Sequence, residues 1–431
     1  MPPANTGRQG RSATVDAAMA AIKNGDRVYL SPICAVPTTL VQALDDQRHR
    51  WSSLELVTDY LIEPIPPFDH PGEPFRLTSL QPTAAIAPMR EAGALSTVAA
   101  SYSQYVSLLK SGGSQAIDVA VVQVSPPGPE GRFSLGVGAG VSLELLRTAP
   151  LVIAEVNPQM PYTFGAGEVE RTEIDLLIDV DHPLVELVVP EPNEIAKIIG
   201  ANAAGEIGDE AVLQFGIGAI PESILGALTE RRDLGLHGGM VGDTVIDLVD
   251  SGALTWAAKN VDRGLMVVTG VLGTQRSFEW AHRNPQIYTV PSSYSHGAAA
   301  LPRIENFVAI NSALAVAADG SVNAETIGDR VVSGPGGQPD FALGASISPS
   351  GRSIIALPAT AVGGTRSRLV PQLPADAAVT VPRYLIDTVV TEHGVARLRG
   401  VPLEDRPAAL AAIAHPDHRE AFVHEPRATS S

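Results

Sequence analysis

Residues Leu213–Gly252 read LQFGIGAIPESILGALTERRDLGLHGGMVGDTVIDLVDSG. Ala211–Phe215 is an apolar run of strand length, Gly216 and Gly218 form a Gly-x-Gly turn, and Pro221 stands where a helix can begin. Ser223–Leu228 then carries apolar residues at helical spacing. A strand, a glycine turn and a helix together can aim backbone N–H groups at an anionic ligand. The same glycines also serve as purely structural residues of a tight βα turn. A second strand-like run ends in His237-Gly238-Gly239-Met240, followed by Asp243 and another helix. Two consecutive strands thus end in glycine, and ligands of open α/β sheets bind beyond the carboxyl ends of strands.

The same alternation extends outward in both directions. Thr14–Ile22 is expected as a helix, Asp26–Leu30 as a strand, and Thr38 to Leu44 as a helix capped by threonines. Leu54–Thr58, Ala116–Val124 and Leu151–Glu155 read as buried strands, with a helix near Ser142–Arg147. The proline-rich stretch Glu63–Pro82 reads as loop-rich and is expected to wrap the surface. Beyond the opening segment, Leu265–Thr269 reads as a strand and Arg276–His282 as a polar helix; Phe307–Ile310 leads into Asn311-Ser312, Ser353–Ala356 is another buried run, and Val389–Val390 begins VVTEHGVARLRG. The tail from His415 is expected to be helical and then frayed. The class is α/β with mostly parallel strands.

The chain also repeats itself. DRVYLSPICAVPTTLVQAL from Asp26 aligns without gaps on EAVLQFGIGAIPESILGAL from Glu210, pairing Val28 with Val212, Pro37 with Pro221 and Leu44 with Leu228. VSPPGPEGRFSLG from Val124 aligns on VSGPGGQPDFALG from Val332, pairing Phe133 with Phe341 and Gly136 with Gly344. Both echoes occur in the same order, which implies two homologous halves with a boundary near Pro190–Gly208. We place it between residues 195 and 196, giving domains 1–195 and 196–431.

Composition narrows the functional classes. At 431 residues the chain exceeds one ordinary core, and 45% hydrophobic against 18% charged residues describes a well-buried protein. The net charge of −17, with no Lys/Arg run, argues against nucleic acid or an anionic membrane as partner. A single cysteine, Cys34, leaves no internal disulfide and no multi-cysteine zinc site. The polar opening residues and the lack of any long apolar run suggest a cytoplasmic protein. The histidines lack the spacing of a metal site, so no metal is expected.

DVAVVQVSPPGPEGRFSLG, EVNPQMP, LQFGIGAIPESIL, INSALAV, SGPGGQPDFALGA, IIALPATA and TEHGVARLRG occur in this order along nearly the whole chain. Together they resemble the acetyl-CoA hydrolase/transferase family, whose members include 4-hydroxybutyrate and succinyl-CoA:acetate CoA-transferases. The resemblance implies two CoA-transferase-type (NagB/RpiA-like) open-sheet domains with the site in the cleft between them. It also implies a coenzyme A thioester as substrate and a homodimer or higher homo-oligomer. For coenzyme A it nominates the loops holding Gln214, Gly216, Gly218, Gly336, Gly337 and Gln338. Backbone donors near Gly337 would serve the oxyanion.

Two departures from the family pattern bear on chemistry. The transferases carry a glutamate nucleophile in a motif resembling His-Thr-Glu-Met. This chain has His237-Gly238-Gly239-Met240, so Gly239 occupies the glutamate position. Near Tyr294-Ser295-His296-Gly297, where the family tends to place an asparagine that helps hold the thioester carbonyl, this chain has His296. Ping-pong CoA transfer needs a carboxylate nucleophile. Glu222, Asp243 and Glu392 are the alternatives here, with Asp243 better suited to capping its helix. Hydrolysis, or carbon–carbon cleavage of a β-keto acyl-CoA, needs only a base and oxyanion donors, and His296 and Gly337 are the candidates. His237 reads as a loop anchor and Cys34 as a packed, inert thiol. Arg366 and Arg368 could meet phosphate or solvent. The rival readings are a transferase using another carboxylate and a catalytically silent CoA-binding protein.

Overall fold

Val119–Val124 is a strand buried along its whole length, as its apolar run requires. It sits inside an eight-stranded sheet in the computed structural model, which describes residues 7–422. In chain order the strands are β1 (Arg11–Ser12), β2 (Arg27–Leu30), β3 (Leu54–Thr58), β4 (Phe75–Ser79), β5 (Leu95–Thr97), β6 (Val119–Val124), β7 (Leu151–Val156) and β8 (Leu176–Asp179). Their spatial order is β1-β8-β7-β6-β2-β3-β4-β5, with every neighbour parallel. Alternation along β6 divides its side chains between two cores. Val119 and Val121 join Leu40, Leu44 and Phe68 on one face. Ala120, Val122 and Val124 join Tyr105, Leu143 and Leu146 on the other.

A second sheet is built from β9 (Val212–Phe215), β10 (Gly235–Leu236), β11 (Phe307–Asn311), β12 (Arg352–Ala356), β13 (Thr388–Thr391) and β14 (Gly394–Arg397). Its order is β10-β9-β11-β12-β13-β14, parallel except for the final hairpin. The duplication is legible in these two orders. The run β8-β7-β6-β2-β3 in the first sheet repeats as β13-β12-β11-β9-β10 in the second. The first sequence echo places β2 on β9, and these strands hold equivalent positions. The second echo lies in equivalent connections, β6 to β7 and β11 to β12, but its ungapped register slips. Phe133 lies in a short strand, Phe133–Ser134, whereas Phe341 lies inside the helix Gln338–Ile347. The matching helix in the first half starts only at Gly140.

The chain forms two compact units that are not divided by a single cut. One unit runs to Val188 and also takes Gly239–Asp243 and Leu265–Gly297; the other takes Val189–Gly238, Thr244–Gly264 and everything from Ala298. The expected two-part division, 1–195 and 196–431, left these two insertions with the second part. Strand pairing explains their placement. Met266–Val268 pairs with Ile287–Thr289, which pairs with Phe164–Gly165. Met240–Val241 pairs with Gly270–Val271, and Val271 N donates to Val137 O at 3.0 Å.

Two local expectations are corrected. The stretch Glu63–Pro82 does not wrap the surface throughout, because the largely buried β4 runs through it and pairs with β3. The helix Thr38–Asp46 has no threonine cap. Instead the buried Glu155 on β7 accepts from Leu40 N at 2.6 Å, so a carboxylate from a neighbouring strand satisfies the helix start. Thr38 Oγ1 turns to His182, at 3.2 Å. The tail forms a 3-10 helix over Pro416–Phe422, and the frayed end expected beyond it lies outside the described residues.

Candidate functional site

The first unit gathers a buried polar cluster near the carboxyl ends of β2 and β3. Thr58 ends β3, and Asp59, the next residue, is fully buried. The helix Tyr102–Leu109 begins after Ser101, whose backbone N–H donates to Gln104 Oε1 at 3.1 Å. Tyr102 and Tyr105 are three residues apart, so both phenols leave one helix face. Tyr105 donates to Thr58 O at 2.9 Å, and Tyr102 donates to Asp59 Oδ2. Tyr29 donates to Asp59 Oδ1 at 3.3 Å and lies 3.2 Å from Ser142 Oγ, which in turn lies 3.2 Å from Ser31 Oγ. Burial pushes the Asp59 carboxyl up to about 6, against the lowering effect of the tyrosine hydrogen bonds.

His296 joins this cluster. It follows the short helix Ser292–Ser295, and Glu144 Oε2 braces that helix by accepting from Ser293 N at 3.1 Å. The imidazole stacks on Tyr102 with ring centroids 4.8 Å apart and 30° between planes. Its Nδ1 lies 2.8 Å from Ser295 Oγ. Only 5% of the residue is exposed, and burial pushes its pKa down to about 3, so the ring is neutral at physiological pH.

Gly239 lies beside this ring. A β-carbon built on it would sit 3.9 Å from His296 Cε1 and 4.0 Å from Nε2, with nothing nearer. Its φ is outside the left-handed region, so neither conformation nor crowding demands glycine here. Gly270, its neighbour's strand partner, is the contrast. A β-carbon there would meet Val137 O at 2.1 Å.

The second unit gathers the other nominated residues at its own switch point, where the chain turns from β9 to its two neighbours. Gln214 ends in an amide pair with Asn311, whose Nδ2 donates to Gln214 Oε1 at 3.1 Å. Gly216 and Gly218 follow β9. Gly218 has φ +130° and caps the helix Ala219–Gly226, so its glycine is conformationally required. Gln338 Nε2 donates to Ser312 O at 3.3 Å, at the end of β11. Gly336 has φ +57°, and Gly337 caps the helix that Gln338 opens. His296 and Gly239 thus fall in one unit, and Gln214, Gly216, Gly218, Gly336, Gly337 and Gln338 in the other.

The alternative carboxylates have structural engagements. Asp243 begins its helix but does not cap it. Its carboxylate accepts from Thr274 N and Oγ1, each at 3.1 Å, and from Ser277 Oγ at 2.7 Å, bracing the next helix, Gln275–Ala281. Glu392 accepts from Ala359 N at 2.8 Å. Glu222 lies in the first turn of the helix after Gly218. His237 is fully buried, with Nδ1 4.0 Å from Asp262 Oδ2. Cys34 is buried with its thiol pushed up to about 12 by burial. Arg368 donates to Ala313 O at 3.1 Å, while Arg366 is exposed. Among the described residues, no group of three or more His, Cys, Asp or Glu is placed to hold a metal, and no helix is long and apolar enough to cross a membrane.

Sequence reasoning missed Asp59 and Tyr102. Neither residue carries a motif, and only the fold joins them.

Comparison with known proteins agrees with these two sheets. Residues 11–199 match the N-terminal domain model of the acetyl-CoA hydrolase/transferase family, and residues 273–425 match its C-terminal domain model. The 4-hydroxybutyrate coenzyme A transferase of Clostridium kluyveri is 36% identical over 96% of this chain and 96% of its own. The succinyl-CoA:cyclohexane-1-carboxylate CoA transferase of Geobacter metallireducens is 34% identical over 96% of this chain and 94% of its own. The crystal structure of RipA from Yersinia pestis superposes with a TM-score of 0.90 at 32% identity, covering 96% of each chain. The chain belongs to the acetyl-CoA hydrolase/transferase family and is an enzyme of the acyl-CoA hydrolase or CoA-transferase type.

Proposed function

We propose that this enzyme acts on an acyl-CoA by adding water, hydrolysing the thioester or cleaving the acyl chain, without a glutamyl-CoA intermediate. The observation that carries the reading is Gly239, a glycine that neither backbone nor neighbours require, beside a buried imidazole. In the hydrolytic form His296 accepts a proton from water as its oxygen attacks the thioester carbonyl. The carbon–sulfur bond breaks, and the proton passes to the departing CoA thiolate. Gly337 and the loop before Gln338 offer backbone donors to an anionic part of the substrate, and the loop Gln214–Gly218 does the same for phosphate.

Coenzyme A enters as substrate, and the proposal includes no metal. The uncombined Cys34 supports a reducing, cytoplasmic setting, and family likeness supports a homodimer or higher homo-oligomer. A second reading, CoA transfer through another carboxylate, is favoured by the transferase names of the relatives. The test is a panel of short-chain, dicarboxylic and β-keto acyl-CoA compounds, incubated with and without acetate. Release of CoA, or of a shortened acyl-CoA, without acetate supports the proposal. Acetyl-CoA formed only with acetate supports the second reading. Tight CoA binding without turnover of any compound points to a silent binder.

A further inference from the structure

An imidazole kept neutral by burial is a weak base, so its use in this reaction depends on groups that fix it and offset the charge it gains. His296 has one such neighbour on its ring face. Tyr102 stacks on it at 4.8 Å, and the phenol of Tyr102 donates to Asp59. Asp59 is itself fully buried and held on its other oxygen by Tyr29 at 3.3 Å. The chain of contacts runs from Ser31 through Ser142, Tyr29, Asp59 and Tyr102 to the imidazole. A core that needed only to be filled would use apolar residues here, since buried polar groups are costly unless satisfied.

We propose that Tyr102, anchored by Asp59, is a positioning residue that fixes the plane of the His296 imidazole beside Gly239. The inference rests on the functional reading above, in that it assigns the pair a task in the same reaction. The phenol–carboxylate bond sets the tilt of the tyrosine ring, and the ring sets the imidazole. An electron-rich ring hydrogen-bonded to a carboxylate also favours the imidazolium formed when His296 takes a proton. No proton needs to leave Tyr102 or Asp59 for this.

The test combines histidine NMR with turnover on Tyr102→Phe, Asp59→Asn and Tyr102→Leu. The His296 ring signals are identified by their loss in His296→Gln. In the unmodified protein they should carry the upfield ring-current shift of a stacked aromatic. Tyr102→Leu should abolish that shift, and Tyr102→Phe and Asp59→Asn should each reduce it, because the ring loses its anchor. The same two variants should lower kcat about tenfold with KM unchanged, and the double variant should cost no more than either alone. An unchanged His296 signal in both variants overturns the inference whatever the turnover shows. A displaced signal with unchanged turnover upholds the positioning and instead overturns the catalytic role of His296.

Discussion

Gly239 and His296 face one another across a gap that one β-carbon would close to 3.9 Å. The space is next to Cε1 and Nε2 of a neutral, buried imidazole that stacks on Tyr102. A glycine with ordinary φ and no crowding contact is free to be any small residue, so its lack of a side chain is open to direct test.

Gly239→Glu should fold, because the built β-carbon has no contact shorter than ordinary van der Waals distance. It supplies the carboxylate that ping-pong transfer requires. The expected gain is acetyl-CoA formation from acyl-CoA and acetate, read by mass spectrometry. A folded variant with no such gain would mean that the surroundings lack the rest of the transferase machinery.

Gly270→Ala should behave in the opposite way. Its β-carbon would lie 2.1 Å from Val137 O, which is backbone and cannot move cheaply. A loss of about 1–3 kcal/mol is expected from thermal unfolding, as for other overpacked sites. Stability within about 0.5 kcal/mol of the parent would contradict the close packing of Gly270–Val271 against the Val137 backbone.

His296→Gln should abolish most turnover, by about 100-fold or more if the imidazole is the base. It should also change how stability depends on pH. Burial lowers the folded pKa of His296 to about 3, so the unfolded chain binds the extra proton first as pH falls below the usual histidine value. Stability contributed by the neutral ring is therefore present above about pH 6.5 and is lost progressively toward pH 3. Between pH 6.5 and pH 5 the loss is about 2 kcal/mol, and it should be missing from the variant. Asp59 acts with the opposite sign. Its carboxyl is raised to about 6, so its contribution is complete below the usual carboxylate pKa and fades as pH rises through 6. Parallel unfolding curves of parent and His296→Gln across this range would contradict the burial of a neutral imidazole.

The strands and helices were legible because their apolar runs are long and their glycine and proline punctuation is clear. The duplication was legible where β2 and β9 share an ungapped register, and it slipped at Phe133 and Phe341 because the two connections differ in length before their helices. Gly239 and His296 could be singled out from motif positions, but their adjacency could not. It comes from Gly239–Asp243 joining the first unit through the Gly270–Val271 pairing, a link with no local signature. Asp59 and Tyr102 were invisible for the same reason.

Asn311→Leu should leave the buried amide of Gln214 without the partner now 3.1 Å away. A destabilisation of about 1–3 kcal/mol is expected, with weaker CoA binding by calorimetry if the switch-point loops hold the cofactor portion. Loss of stability with unchanged CoA affinity would move the CoA contacts elsewhere.

Cys34 should resist alkylation. Its thiol is buried and pushed up to about 12, so almost no thiolate exists at pH 8. Rapid labelling of the native protein by iodoacetamide, followed by mass spectrometry, would contradict this and reopen Cys34 as a nucleophile.

In the proposed reaction CoA is never joined to the protein. The decisive measurement is intact-protein mass spectrometry during turnover of a reactive acyl-CoA, with borohydride added to reduce any protein thioester. The expected result is free CoA or a shortened acyl-CoA in solution, a protein mass unchanged in every sample, and oxygen from ¹⁸O-labelled water in the acid product. A protein species heavier by one CoA, or one reduced at a carboxylate, would show a covalent thioester intermediate and contradict it.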